Sequence, residues 1–408
     1  MKIQNLPNEF EMARPVLQTI ESAGFEAYFV GGSVRDTILG LPIHDVDIAA
    51  SAYPAEIKEL FKRTVDTGIE HGTVMVLDHG NGYEVTTFRT ESGYQDYRRP
   101  DQVTFIRSLD EDLKRRDFTI NALAMREDGE VIDLFNGLTD LKRRLIRAVG
   151  DANVRFNEDA LRMMRAVRFA SKLDFSIDPD TMSAITTHSH LLAKIAVERI
   201  YTEFVKMMMG SKPRLGLQDM CNTKMIDYVP EFKNYLPGIK KIIALPEFRL
   251  KNEFQVWGLI SFSFGLNHKQ ISELLKRWKA ANQTIEATQK IVTALRELVA
   301  HGLNSMTLFN TGQSLLGDTM GVARALNISV DETKVMQRYD QLPIKNVHEL
   351  AINGGDLIKA GVLKPGPELG RILKQLQSVV INGELNNDQP TLLEHARVIL
   401  SHERKGEI

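Results

Sequence analysis

Two adjacent glycines, Gly31 and Gly32, follow the β-rich run AYFV and open a short helical pattern, after which the chain reads His44-Asp45-Val46-Asp47-Ile48. This stretch, FVGGSVRDTILGLPIHDVDIAAS from Phe29 to Ser51, limits the architecture more tightly than any other. In a strand, residues two apart share a side, so Asp45 and Asp47 project together while Val46 and Ile48 face the other way. Two carboxylates that close repel each other, and a cation that takes oxygen ligands, such as Mg²⁺ shared with substrate phosphates, offsets the repulsion. Taken alone, the pair reads as a solvated strand face. The glycines argue otherwise. They leave backbone N–H groups at a helix start open to phosphate, and Arg35 lies one turn further on. Neither a P-loop nor a dinucleotide-binding pattern is present.

Around this unit the first 150 residues carry strand signals: FEAYFV, HDVDIAAS, GTVMVLDH, YEVTTFR and QVTFI, with HGNGYE as a hairpin connection. Helical patterns at Ser33 to Leu39 and Pro54 to Lys62 complete a small mixed sheet with helices on it. Beyond Gly150 the apolar spacing is helical throughout. The fold class is therefore α+β, a mixed-sheet head followed by an all-helical remainder. With 408 residues and 43% of them apolar, two to four domains are expected. Breaks in periodicity divide the chain into a head (1–149), a neck (150–212), a body (213–304) and a tail (305–408). Net charge is −2, so any nucleic-acid site must be local. Cys221 is the only cysteine, which excludes an internal disulfide and fits a reducing compartment. No signal segment or long apolar run is present, so a cytoplasmic protein with no membrane association is expected.

The spacing of Gly-Gly and Asp-x-Asp resembles the nucleotidyltransferase superfamily of DNA polymerase beta. VGGSVRD followed by DVDIA more narrowly resembles the bacterial class II tRNA CCA-adding enzymes and their relatives, the bacterial poly(A) polymerases. Downstream segments extend the likeness. KRRDFTINALAM, Lys114–Met125, resembles the second family motif and brings Arg116; by itself Arg115-Arg116-Asp117 reads as a surface cluster. DLFNGLTDLKRRLIRAVGD, Asp133–Asp151, resembles the third, a hinge. In NEDALRMMRAVRFA, Asn157 reads as an N-cap, with Asp159 and Arg162 at i and i+3 on one helix face. Cytosine and adenine both present an amino donor beside a ring-nitrogen acceptor, so one Asp and one Arg can read both bases. The plain alternative is an i, i+3 salt bridge. Counting about 100° per residue puts Arg168 nearly opposite Asp159, so Arg165 and Arg168 suit triphosphate or support roles, and the resemblance places both in the nucleotide site.

AVERIYTEFVKMM, Ala196–Met208, resembles the fifth motif and reads as a packing helix. Glu84 could supply a third carboxylate to the metal or be an ordinary exposed strand acid. RTESGYQDYRRPDQV, Arg89–Val103, reads as a polar loop in which Asp96, Arg98 and Arg99 are charged levers. The resemblance implies addition of C, C and A to the 3′ end of tRNA from CTP and ATP, with Asp45 and Asp47 on Mg²⁺ and with Gly32, Arg35 and Arg116 on phosphates or sugar. It also implies phosphate contacts from the helical part to the acceptor and TΨC arms, with the Gly366-Pro367 helix start and Lys240 and Lys241 as candidates, although the lysine pair by itself reads as ordinary solvated surface, and it admits a homodimer. A poly(A) polymerase and a non-catalytic RNA-binding relative remain the alternatives.

Overall fold

The computed structural model describes residues 1–95 and 99–404, with side chains for all of these except 91–95, 99–102 and 403–404. It forms two compact units, Met1–Leu236 and Pro237–Ile408. In the first, helix α1 (Asn8–Ser22) buries Phe10, Ala13, Val16, Leu17 and Ile20, a one-sided stripe at helical spacing. It leads into strand β1 (Ala27–Val30), all four residues of which are buried. That continuous apolar run marks a central strand covered on both faces.

The sheet has seven strands in the order β3-β4-β5-β2-β1-β8-β9. They are β1, β2 (Asp47–Ala50), β3 (Thr64–Gly68), β4 (Thr73–Asp78), β5 (Asn81–Thr87), β8 (Leu123–Met125) and β9 (Val131–Asp133). Helices α2 (Gly32–Ile38) and α3 (Pro54–Leu60) lie close to the two patterns expected. Strands β2 and β5 pair in parallel, and β1 pairs antiparallel with both β2 and β8, so the sheet is mixed. The β4–β5 hairpin closes on His79 and Gly80, both at positive φ (46° and 85°), as a two-residue turn matched to strand twist requires.

The segment read as a polar loop differs. Strands β6 (Arg89–Gln95) and β7 (Arg99–Phe105) pair antiparallel as a separate two-stranded ribbon. Its register runs from Arg89↔Phe105 to Gln95↔Arg99. The run QVTFI marked the end of β7, but mixed charge hid the rest of the ribbon, because a ribbon outside the main sheet needs no apolar alternation. Asp96 and Arg98 lie outside the described residues; Arg99 is the first residue of β7.

Helices α4 (Leu109–Lys114) and α5 (Gly137–Arg143) finish the sheet region. The third motif is a structural joint here. Asp133 accepts from the N–H groups of Gly137 (2.8 Å) and Leu138 (2.9 Å), and Asp140 accepts from the Thr119 hydroxyl (2.7 Å). A Cβ on Gly137 would stand 2.3 Å from the Thr119 carbonyl oxygen, so only glycine allows that approach.

Helices α6 (Ala152–Glu158), α7 (Leu161–Leu173), α8 (Pro179–His188), α9 (Val197–Met208) and α10 (Pro213–Asn222) complete the first unit. In α10, Asp219 is buried, and its Oδ2 has no hydrogen-bond partner. Burial pushes this carboxyl up to about 6. Because the folded value exceeds the unfolded one, folding binds a proton between them, and stability is lost as pH rises through 6. Asp219→Asn is therefore expected to be about 2–3 kcal/mol more stable than wild type at pH 8, with the gap closing toward pH 4, in urea melts at the two pH values.

The second unit is helical. Trp257 and Trp278 meet edge to face at 5.1 Å in one part of its core. Leu308, Leu316, Met320, Ile372 and Leu376 form another. The long helix Ser305–Ala325 is kinked at Gly312 (φ 75°, ψ 159°). Gly366 precedes helix Pro367–Ile381 with Pro at its first position, as expected, and Lys240 and Lys241 are exposed on helix Leu236–Ala244. Among the described residues no helix is long and apolar enough to cross a membrane.

Candidate active site

Strand β2 begins at Asp47, so Asp45 lies just before the strand rather than in it. The two-residue alternation nonetheless holds: Asp45 and Asp47 are exposed while Val46 and Ile48 are buried. The parallel register Ile48↔Val85 sets Glu84, also exposed, on the neighbouring strand beside Asp47. The Asp47 carboxyl is accessible to solvent yet set among enough protein atoms that desolvation raises its pKa. Glu84 and Asp45 push it further in the same direction, and Arg116 opposes them. Among the described residues no three His, Cys, Asp or Glu side chains close into a ready-made metal cage. Even so, three neighbouring carboxylates facing one opposing arginine fit a divalent cation whose remaining ligands come from a bound phosphate.

Gly31 holds φ 71° and ψ −126°, a conformation side chains rarely adopt, and a Cβ there would sit 3.1 Å from Nη1 of Arg116. The turn delivers Gly32 as the first residue of α2. Arg35 lines the same cavity but is only 3% exposed. Its Nε donates to Asp36 (2.8 Å), its Nη1 donates to Asn121, and its guanidinium lies 5.1 Å from the Phe169 ring centroid. The cavity measures about 610 Å³. Its lining contains Gly32, Arg35, Asp45, Asp47, Arg116, Asp159, Arg162, Arg165 and Arg168, every nucleotide or catalytic candidate from the sequence except Glu84.

The base-reading pair is built differently from the expected helix face. Asn157 caps nothing: it sits inside α6, whose N-cap is Asp151, and donates from Nδ2 to the Asn153 carbonyl. Asp159 lies in the break between α6 and α7 with extended backbone (φ −134°, ψ 102°). Its Oδ1 accepts from the Leu161 N–H (3.0 Å), and its Oδ2 accepts from Arg199 of α9 (2.9 Å). An Asp that bonds the backbone two residues on competes with helix continuation, which is why the chain breaks here. Arg162 is the second residue of the next helix, α7, and is 7% exposed. It donates from Nη1 to Glu158 (2.8 Å) and from Nη2 to the Arg115 carbonyl (2.9 Å). Asp159 and Arg162 thus meet at one cavity by separate anchors, without a salt bridge between them. The angular count from Asp159 fails across the break, and Arg168 lines the same cavity.

Several residues that organise the site escaped the sequence reading. Asp112, 1% exposed, accepts from Arg115 (2.7 Å) and Arg116 (3.1 Å) and orients both. Burial alone would raise its pKa, but the two guanidiniums outweigh it and hold the carboxyl below its usual range. Asp117 accepts from Arg165 (2.7 Å), Asn121 (3.0 Å) and the Phe118 N–H (2.8 Å). Glu203 of α9 accepts from Arg168, which also stacks 3.9 Å from the Phe169 centroid. The segment Ala196–Met208, read as packing alone, therefore contributes Arg199 and Glu203 to the site. Their i, i+4 spacing was the available signal.

Burial works against ionised Asp117, yet Arg165 and the hydrogen bonds win and bring its pKa down to about 2. A depressed carboxyl contributes stability above its unfolded value and loses it as pH falls through the folded one. The stability difference between wild type and Asp117→Asn should be about 2 kcal/mol near pH 6 and shrink between about pH 4 and 2, measured by denaturant titration.

Three family models match the chain: "Poly A polymerase head domain" over residues 27–147, the RNA and SrmB-binding site of polymerase A over 174–236, and "tRNA nucleotidyltransferase domain 2" over 248–396. The chain is 56% identical over 399 residues to the CCA-adding enzyme of Limosilactobacillus reuteri (strain DSM 20016), covering 98% of this chain and 99% of that protein. It is also 56% identical over 400 residues to the CCA-adding enzyme of Limosilactobacillus fermentum, covering 98% and 100%. Among solved structures, the Bacillus stearothermophilus CCA-adding enzyme in complex with CTP superposes with a TM-score of 0.87 at 37% identity, covering 98% of this chain and all of that one. The Thermotoga maritima CCA-adding enzyme complexed with tRNA shares the fold at a TM-score of 0.61 and 20% identity, covering 97% of each chain.

Proposed function

This chain belongs to the bacterial CCA-adding enzymes, and from that premise we propose that it adds C, C and then A to the 3′ end of tRNA, without a template, from CTP and ATP with release of pyrophosphate. One observation carries the reading: a single cavity unites a glycine turn, a carboxylate pair opposed by one arginine and an Asp–Arg pair suited to one base edge. The family uses a divalent metal. Asp45 and Asp47, with Glu84 beside them, would hold Mg²⁺, which when bound neutralises triphosphate charge and lowers the pKa of the attacking 3′-hydroxyl.

The chain's own residues bind and orient. Gly32 and Arg116 face the phosphates, while buried Arg35 ties α2 to Asn121 and Phe169 behind them. Asp159 accepts from the amino group of C or A, and Arg162 donates to the neighbouring ring nitrogen. Each keeps capacity for this: Asp159 Oδ2 has a second lone pair, and a guanidinium carries five N–H donors. Uracil and guanine present the opposite order and leave both partners mismatched. Arg165 and Arg168, tied to Asp117 and Glu203, brace the cavity wall.

Head, neck, body and tail divide this work. In the helical part, Lys240, Lys241 and the helix start at Gly366-Pro367 offer phosphate contacts to the acceptor and TΨC arms, a salt-dependent mode. A cytoplasmic setting fits a tRNA substrate. The deciding experiment incubates tRNA lacking its CCA end with each nucleotide separately and together, at single-nucleotide resolution. Addition of C, C and A followed by a stop supports the reading. A long A tail would assign the chain to the poly(A) polymerases, and no extension would leave a binding protein.

A further inference from the structure

The order of partners between α7 and α9 shows that the two helices run side by side in the same direction. At their starts Arg199 holds Asp159 (2.9 Å), and further along both Arg168 is paired with Glu203. Arg199, Glu203 and Lys206 fall at i, i+4 and i+7, one stripe of α9 turned toward α7. The first two are accounted for by their partners. Lys206 is not, and it lines the nucleotide cavity.

Its place along the cavity follows from helix geometry. At about 1.5 Å per residue, Lys172 lies about 15 Å beyond Arg162 on α7, and Lys206 about 10 Å beyond Arg199 on α9. Both lysines therefore mark the end away from the base-reading pair. Helix α2 lies alongside this end, where Asp36 meets Lys172 (3.5 Å) and Arg35 lies 5.1 Å from the Phe169 ring centroid. The glycine turn, one helical turn before Asp36, opens onto it too. A nucleotide with its base at Asp159 and Arg162 and its α-phosphate near Asp45 and Asp47 extends its outer phosphates here.

Both α7 and α9 finish at this end, and helix C-termini carry partial negative charge that opposes a polyphosphate. The arginines of the lining are already committed, each to a carboxylate, and Lys172 shares Asp36 with Arg35. Lys206 is exposed and, among the described residues, is the lining's cation with no hydrogen-bond or ion-pair partner. In the transfer the primer 3′-oxygen bonds to the α-phosphorus while the bond from that phosphorus to the bridging oxygen breaks. The electron pair of the broken bond leaves on pyrophosphate, and the hydroxyl proton goes to water. An uncommitted ammonium with three donors suits the charge that develops on the leaving group.

We propose that Lys206 is the leaving-group residue of the transfer, its ammonium contacting the β- and γ-phosphates of the bound nucleotide and remaining with the pyrophosphate as it forms. The assignment rests on the transferase reading above and concerns neither base choice nor the RNA.

The test is titration calorimetry of full-length wild type, Lys206→Met and Lys206→Arg with CTP, CMP and inorganic pyrophosphate, in Mg²⁺ and without RNA. Lys206→Met should raise the Kd for CTP and for pyrophosphate about tenfold and leave the Kd for CMP, which lacks the outer phosphates, within about twofold of wild type. Lys206→Arg keeps the cation and should bind all three within about threefold of wild type. An unchanged Kd for pyrophosphate in Lys206→Met would show that the lysine only offsets the end of α9, and a Kd for CMP that rises in step would show lost packing; either result overturns the assignment. Wild type that binds CTP but extends no tRNA would refute the transferase reading while leaving the phosphate contact in place, and wild type that binds neither CTP nor pyrophosphate would remove both.

Discussion

Asp47→Asn is expected to abolish all three additions, lowering kcat by about 10³-fold or more, while making the protein no less stable. Loss of a metal-binding carboxylate removes several kcal/mol of transition-state stabilisation, and each 1.4 kcal/mol is tenfold in rate. Stability should move the other way. The folded-state pKa of Asp47 is raised by desolvation, Glu84 and Asp45, so the ionised carboxylate disfavours the fold once pH exceeds that value. Asparagine keeps the shape and relieves the repulsion. Thermal melts at pH 7 without divalent ions should therefore place Asp47→Asn at or above wild type, and titrating Mg²⁺ should raise the wild-type midpoint far more than the variant's. A variant at 47 that still extends tRNA, or a wild type whose melting ignores divalent ions, would remove this carboxylate from the metal site. Asp45→Ala should likewise end every addition.

The second large effect concerns nucleotide choice. Asp159→Ala should lower kcat/KM for CTP and ATP and reduce discrimination against UTP and GTP by about 10²-fold, because the partner for the exocyclic amino group is gone. Removing Asp159 also strands Arg199, whose Nη1 already lacks a partner in its buried position and whose Nη2 bonds only that carboxylate. Arg199→Met therefore separates the two roles: it keeps the carboxylate but frees it to rotate. If Arg199 aims Asp159, this variant should lose part of the discrimination with little change in the rate at saturating CTP. Selectivity intact in Asp159→Ala would show that the base is read elsewhere.

Much of the site was legible because its chemistry is local. Gly31 and Gly32, the alternation from Asp45 to Ile48, and the runs bearing Arg116 and Arg162 each declare themselves within a dozen residues, and the structure gathers them around one cavity. The strand pairing of β2 with β5, which brings Glu84 beside Asp47, was visible only as an open choice, since register is a contact between distant segments. The helix break at Asp159 was hidden by the opposite problem. Asp159 and Ala160 suit the amphipathic pattern on either side, so periodicity runs through a point where the backbone does not.

Local pattern, then, determined the α+β class, the glycine turn, the paired acids and the arginine-rich neck, because backbone geometry and side-chain period act over a few residues. Tertiary structure decided which charges meet across the chain: Asp117 with Arg165, Glu203 with Arg168, and Arg199 on Asp159. Each of those carboxylates lies among several cationic neighbours along the chain, and only packing, which removes water and so makes an unpaired charge costly, selects the partner.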